Sequence, residues 1–400
     1  MISSKEAHDI IYKCSIQFEK SKEELTNACG LVLATEVTAD RPFPPFDRVC
    51  MDGIAISSEA FKNGQVEFRI QSTQAAGQPP HSLNDSNHCI EIMTGAVLPK
   101  GTDAVIRYED LELKDGLAKV QLEEVRQWQN VQKTGIERLQ GDVLLSAPQL
   151  ISPAQVAVLA TVGKAEIDVV RWPEIAIVSN GDELVEIDET PEDHQIRKSN
   201  VYALQALCKK NRWPSKTYHL SDNREEIQKE LNSILRNHRL ILMSGGVSKG
   251  KFDYLPEVLS DLGVHKQFHK VQQRPGKPFW FGTYDRGFVF AFPGNPVSTF
   301  MCATRYFEPW MWKNAGLKLK SETALLAEDF RFNPALQYFL QVKLSQQGSH
   351  LLATPYKGKG SGDLVNLAQV DAFLELPAER NYFKKNEEFR VWRIGVNSAI

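Results

Sequence analysis

After the apolar run that ends at Met243, the chain reads Ser244-Gly245-Gly246-Val247-Ser248-Lys249-Gly250-Lys251-Phe252-Asp253, which sets a glycine pair, two lysines and a carboxylate on one loop. Glycines permit backbone geometries closed to other residues, and the N–H groups freed there can point at a phosphate or similar oxyanion. Asp253 is placed to hold a metal or to take a proton. Gly245, Gly250 and Lys251 match part of a P-loop, but Phe252 occupies the position where a Ser or Thr must coordinate magnesium, so a P-loop NTPase is rejected. For this motif alone, a structural turn with solvated lysines is the alternative.

Three further strings stand out, two of them directly after an apolar strand. In Pro293-Gly294-Asn295-Pro296-Val297-Ser298, Asn295 is a helix N-cap and Pro296 the first helical residue, which puts Ser298 in a first turn whose free N–H groups favour an anion. In Arg274-Pro275-Gly276-Lys277-Pro278 the prolines restrict the backbone, so the two cations are presented with less entropic loss than on a free helix. In Ser179-Asn180-Gly181-Asp182-Glu183-Leu184 two adjacent carboxylates follow a strand; beside oxyanion loops they suit a divalent cation, magnesium, with Asp253 as a third oxygen ligand. The blander readings are a capped helix, a solvent-facing turn and a turn enriched in acids. His265 and His269 have i, i+4 spacing but fall in a strand, so zinc is not expected there, and the nine histidines lie outside these loops.

The elements that must position these loops alternate. Strands at 175–179, 217–220 and 240–243 are separated by helices beginning near Ser199, with Val201, Leu204, Leu207 and Cys208 on one face, and near Ser221, with Ile227, Leu231, Ile234 and Leu235 on one face. A further helix over 253–262, a hairpin over 277–292 and a helix from Pro296 past Phe307 complete the segment. Such alternation implies parallel strands with crossover helices, and ligands at the carboxyl ends of the strands. Before it, a helix is expected over residues 3–20 with Ser3 and Glu6 as a capping box, followed by short β segments over 30–170; after Lys320 the texture is again β. The fold class expected is α/β plus β, with domains at 1–170, 171–318 and 319–400.

Four hundred residues with 42% hydrophobic content exceed what one core holds, so two to four structural units are expected. A net charge of -3 gives no basic surface for nucleic acid. No run reaches the roughly 18 apolar residues of a membrane span, and the first residues do not read as a signal peptide. Six scattered cysteines fit a reducing compartment, so a cytoplasmic protein is expected and the sequon at Asn84 is chance.

In order along the chain, PPFDRVCMDGIA, IMTGAVLPKGTDAV, SNGDEL, SGGVSKGKFDY, RPGKP and PGNPVS, with GKGSG at 358–362, resemble the MoeA family of molybdopterin molybdenumtransferases, whose eukaryotic relatives include the E domain of gephyrin. The resemblance covers nearly the whole chain. It implies two interleaved β-rich N-terminal subdomains, a MogA-like α/β domain and a small C-terminal β-barrel, in a homodimer whose site lies between subunits. It also implies a reaction: adenylylated molybdopterin and molybdate are taken up with magnesium, and AMP leaves as molybdenum enters the dithiolene. Partners implied are an adenylyltransferase upstream and acceptor molybdoenzymes downstream.

Carried over by motif, Asp253 and Glu183 would hold the metal, with Asp182 close by and Asp52 acting with them. Gly245, Gly246 and Ser248 would line the nucleotide or pterin-phosphate pocket. Arg274, Lys277, Ser298 and the Pro293-Gly294-Asn295 turn would meet anionic substrate or molybdate. Asp52 and Thr94 would come across the dimer interface, and Ser361 from the C-terminal domain. The chain departs from the family pattern at Arg274 for lysine, at Glu137 in a Gly-Ile-Glu string, at Lys198 for aspartate and at Gln341 for arginine. Competing readings are a molybdopterin adenylyltransferase, which lacks the β-rich half with MDGIA and MTGA, and a non-catalytic scaffold.

Overall fold

The computed structural model describes residues 1–247 and 254–394. Ser248 and Asp253 therefore lie outside the described residues. The chain divides into two compact units, each made of discontinuous pieces: residues 1–35, 148–156 and 166–400 in one, 36–147 and 157–165 in the other.

The larger unit is built on the alternating segment. Its strands are β1 (Ile175–Asn180), β2 (Ser215–Leu220), β3 (Leu240–Ser244), β4 (His265–His269), β5 (Trp280–Tyr284) and β6 (Gly287–Phe292), in the order β2-β1-β3-β6-β5-β4. The first four of that order run parallel, β5 pairs antiparallel with β6, and β4 pairs antiparallel with β5. The crossover helices are α1 (Asn200–Lys210) and α2 (Arg224–Asn237), and they bury the residues their periodicity predicts. Alternation along the strands explains the layering. Ile175, Ile177, Leu240 and Leu242 join α1 in one core, while Ala176, Val178, Ile241 and Met243 join α2 in the other.

The helix past the PGNP turn is less regular than expected. It begins as α3 (Pro296–Cys302), passes through a π turn at Ala303–Phe307 and resumes over Glu308–Asn314. The expected helix at 253–262 is the shorter Leu255–Asp261.

The first helix also ends early. It spans Ser4–Lys13 with the Ser3/Glu6 capping box in place, and the chain is extended from Cys14. Residues Glu19–Glu24 then pair antiparallel with Glu166–Arg171, residue for residue. The segment EKSKEE has no apolar face to bury as a helix, so backbone pairing decides its conformation, and Phe18 packs edge-on against Trp172 at 5.0 Å.

Within the same unit, five strands close a barrel: Gln337–Gln347, His350–Pro355, Glu322–Leu326, Glu388–Arg393 and Ala372–Leu376, the last pairing back to the first. The smaller unit holds a six-stranded sheet that includes Gly53–Ile56, His88–Ile92 and Ala104–Arg107. Among the described residues, no helix is long and apolar enough to cross a membrane.

The glycine pair after β3 is a steric requirement. Gly246 has φ +69°, and a Cβ there would lie 2.1 Å from Leu255 Cδ1, an atom of a side chain with no exposure. Gly246→Ala should therefore lower stability by roughly 2–4 kcal/mol, combining a left-handed backbone penalty with overpacking. Thermal unfolding checks this, and an unchanged midpoint would mean that Leu255 repacks freely.

Candidate functional site

The parallel strands deliver their carboxyl ends to one edge. There the turns after β1, β3 and β6, with the start of α1, line a cleft of about 670 Å³. Of the residues expected to do chemistry, Glu183, Gly245, Gly246, Pro293, Gly294 and Asn295 line it. Asp182 does not. Its carboxylate accepts the Asp222 N–H at 3.0 Å while its own N–H reaches Asp222 at 3.4 Å, so it fastens the SNGD turn to the turn after β2.

The two glycine turns are cross-tied by a side chain that the motifs did not single out. Asn200 Nδ2, at the start of α1, donates to Ser244 Oγ at 2.8 Å and to the Gly294 carbonyl at 2.7 Å. Asp222 also lines the cleft and accepts from Asn180 Nδ2 at 2.9 Å, which leaves buried Asn180 Oδ1 without a partner in the protein. The signal for Asp222 was its place in Ser221-Asp222-Asn223, directly after a strand. It read only as a helix start.

The PGNPVS turn differs from expectation. Asn295 holds the N-cap position, but its side chain makes no cap bond; its amide donates instead to Ser361 Oγ at 2.9 Å, and the Val297 N–H goes to the Ser361 carbonyl at 3.1 Å. Part of the helix terminus is thus satisfied by the GKGSG loop, whose Gly362 reaches the cleft. Ser298 is only 3% exposed and does not line the cleft.

In RPGKP, Arg274 and Lys277 are both exposed and outside the cleft lining, while Pro278 forms part of its wall. The turn is held from below: buried Gln273 donates to the Gly276 carbonyl at 3.0 Å and accepts from the Tyr306 hydroxyl. A Cβ on Gly276, at φ +89°, would meet Cys302 Sγ at 2.7 Å, so the close approach requires glycine. Residues Gln273–Arg274 pair with the barrel strand Gln337–Gln347, where Gln341 accepts from Asn366 at 3.1 Å beside the glycine loop.

Two histidines come closer to these loops than their sequence positions suggested. His269 Nε2 lies 2.9 Å from the Val247 carbonyl, and His219 Nδ1 lies 3.0 Å from Ser179 Oγ. Burial, and then the nearby Lys198, push the His219 imidazole below its ordinary pKa, which favours its neutral form.

In the smaller unit, MDGIA and MTGA meet. Thr94 donates its N–H at 2.6 Å and its hydroxyl at 2.9 Å to Asp52, and these bonds, the backbone one foremost, hold the Asp52 carboxyl below the usual range. Glu137 accepts from Gln132 and lies 3.5 Å from Arg48.

The oxygen donors on the cleft wall, Glu183, Asp222 and the orphaned Asn180 Oδ1, are hard ligands of the kind magnesium accepts alongside water and substrate phosphate. Among the described residues, no three acidic, histidine or cysteine side chains converge as a metal cage. A smaller cavity of about 80 Å³ beside Trp312 and Trp392 lacks free acids: Glu308 pairs with Lys210 at 3.2 Å and Glu322 with Arg393 at 2.7 Å.

Comparison with known proteins places this geometry. Residues 2–163 match the model of the MoeA N-terminal region (domain I and II), 176–312 that of a probable molybdopterin binding domain, and 323–394 that of the MoeA C-terminal region (domain IV). The chain is 38% identical to a molybdopterin molybdenumtransferase of Synechocystis, over 97% of this chain and 99% of that one. It is 30% identical to the protein of the same name from Staphylococcus epidermidis, over 96% and 93%. Among solved structures it resembles the molybdopterin biosynthesis MoeA protein of Pyrococcus horikoshii, with a TM-score of 0.84 at 26% identity, over 98% of this chain and all of that one. By motif order, architecture and full-length similarity, the chain belongs to the MoeA family.

Proposed function

We propose that the protein is a molybdopterin molybdenumtransferase of molybdenum cofactor biosynthesis, accepting adenylylated molybdopterin and molybdate and releasing AMP as molybdenum enters the dithiolene. The observation that carries this reading is the cleft at the carboxyl edge of the parallel sheet, where two glycine turns and the carboxylates of Glu183 and Asp222 meet. Full-length similarity to proteins named for that activity supports it, and it favours neither the adenylyltransferase nor the scaffold.

On this reading the chain's own groups divide the work. The Gly245 N–H is taken by the Phe292 carbonyl at 3.2 Å, so it is Gly246 in that turn that would offer a backbone donor to a phosphate oxygen, while the exposed cations Arg274 and Lys277 draw anionic substrate toward the cleft wall at Pro278. Neutral Asn200 and Asn180 keep those turns in register. Glu183 and Asp222 would hold magnesium, with Asp253 joining them from outside the described residues. Bound there, magnesium would offset negative charge on the phosphoanhydride and on departing AMP. A homodimer would bring Asp52 and Thr94 of a second copy into use, Ser361 would support the molybdate side, and a cytoplasmic adenylyltransferase and acceptor molybdoenzymes would flank the step.

Purified protein incubated with adenylylated molybdopterin, magnesium and molybdate should release AMP only when molybdate is present; molybdate-independent release, or none, refutes the assignment. Glu183→Gln should lower that rate by roughly 10- to 100-fold, as expected when a metal site loses a carboxylate, without shifting the unfolding midpoint. Asp253→Asn should likewise keep the fold and lose turnover, and a wild-type rate in either variant would remove that residue from the metal site.

A further inference from the structure

Glu183 reaches the cleft on an excursion between Gly181 and Asn200 whose stem is thin. Leu184–Val185 pairs in parallel with Ile196–Arg197, and the backbone bonds flanking it are Ile196 N–H to the Glu183 carbonyl at 2.8 Å and Lys198 N–H to the Val185 carbonyl at 3.0 Å. Residues 186–195 between the two arms are mostly exposed, so apolar packing does little to hold the excursion.

Beneath the stem sits a charge pair. Lys198 is only 8% exposed, and its ammonium donates to Glu186 Oε1 at 2.5 Å; Tyr202, from α1, places its hydroxyl 3.4 Å from the other Glu186 oxygen. The Lys198 hydrogen bond is the main reason that the Glu186 carboxyl stays below the usual carboxylate range. Lys198 borders both the main cleft and a side cavity of about 130 Å³ that includes Ser179, Thr217 and His219. Glu186 already neutralises this ammonium, which makes it a poor free anion ligand. Removing Glu186 leaves a buried, poorly solvated ammonium under the stem, and removing Lys198 takes away the tie that holds the half-exposed Glu186 there.

We propose that Lys198 and Glu186 are positioning residues, a clamp on the stem of the 181–199 excursion that sets where Glu183 stands at the cleft. The proposal rests on Glu183 being a metal-binding carboxylate, and it places Lys198, a departure from the family pattern, in partnership with Glu186 in this chain.

The test uses the full chain and two readouts: amide hydrogen exchange over residues 184–198, and the magnesium dependence of AMP release. In Lys198→Met, and in the more exposed Glu186→Gln, stem exchange should accelerate by about tenfold or more, because local opening becomes easier. The magnesium concentration for half-maximal rate should rise by about five- to tenfold, while the rate at saturating magnesium stays within about twofold of wild type. The charge-swapped double variant, Glu186→Lys with Lys198→Glu, should recover protection relative to either single change. Wild-type exchange in both single variants overturns the clamp. So does a raised KM for the molybdopterin substrate with unchanged exchange, which would make Lys198 an anion ligand. Exchange requires no turnover, so an inactive wild-type protein refutes the proposed function while exchange still decides the clamp; Glu183→Gln, expected to lose turnover with a protected stem, separates the two.

Discussion

Strands β1, β3 and β6 are enclosed on both faces, with successive side chains entering opposite cores. An unpaired polar group on such a strand would cost roughly 1–3 kcal/mol even with partial compensation, and a charge far more. Polar chemistry is therefore confined to the points where the strands stop, and because β1, β3 and β6 run parallel they stop at the same edge. The Ser179-Asn180, Ser244-Gly245-Gly246 and Pro293-Gly294 turns are grouped by that constraint before any ligand is considered.

Grouping does not fix the turns against one another, and neutral amides perform that task. Asn200 joins the turns after β3 and β6, Asn180 joins those after β1 and β2, and Asn295 joins the PGNP turn to Ser361. Amides can donate and accept without the desolvation cost of an ion, so they cross-link an anion-binding edge without neutralising it. The carboxylates of Asp182 and Asp222 share in that task and Lys198 is buried against Glu186, while Glu183, Arg274 and Lys277 remain exposed at the rim.

Much of this was legible in the sequence because local rules and tertiary demands agree there. The apolar faces of α1 and α2 follow helical spacing, and the glycine pair marks the end of β3. The first helix was overextended because Cys14 and Phe18 continue its spacing, whereas the pairing partner that claims Glu19–Glu24 lies about 140 residues later. Asp222 and Asn200 read as ordinary helix starts, since their importance comes from strands that converge only in three dimensions. The same holds for Lys198, whose burial beside Glu186 depends on a two-residue ladder too short to leave a pattern. Ser298 shows the reverse: its first-turn position suggested an accessible donor, but packing buries it.

The antiparallel pairing of Glu19–Glu24 with Glu166–Arg171 also bears on how the chain is made. During synthesis the first strand emerges well before its partner exists, and at translation rates of roughly 5–20 residues per second the wait is on the order of ten seconds. An apolar strand left unpaired for that long would invite association between nascent chains. This one is Glu-Lys-Ser-Lys-Glu-Glu, so its charges keep the waiting edge solvated until the sequence that completes it has left the ribosome.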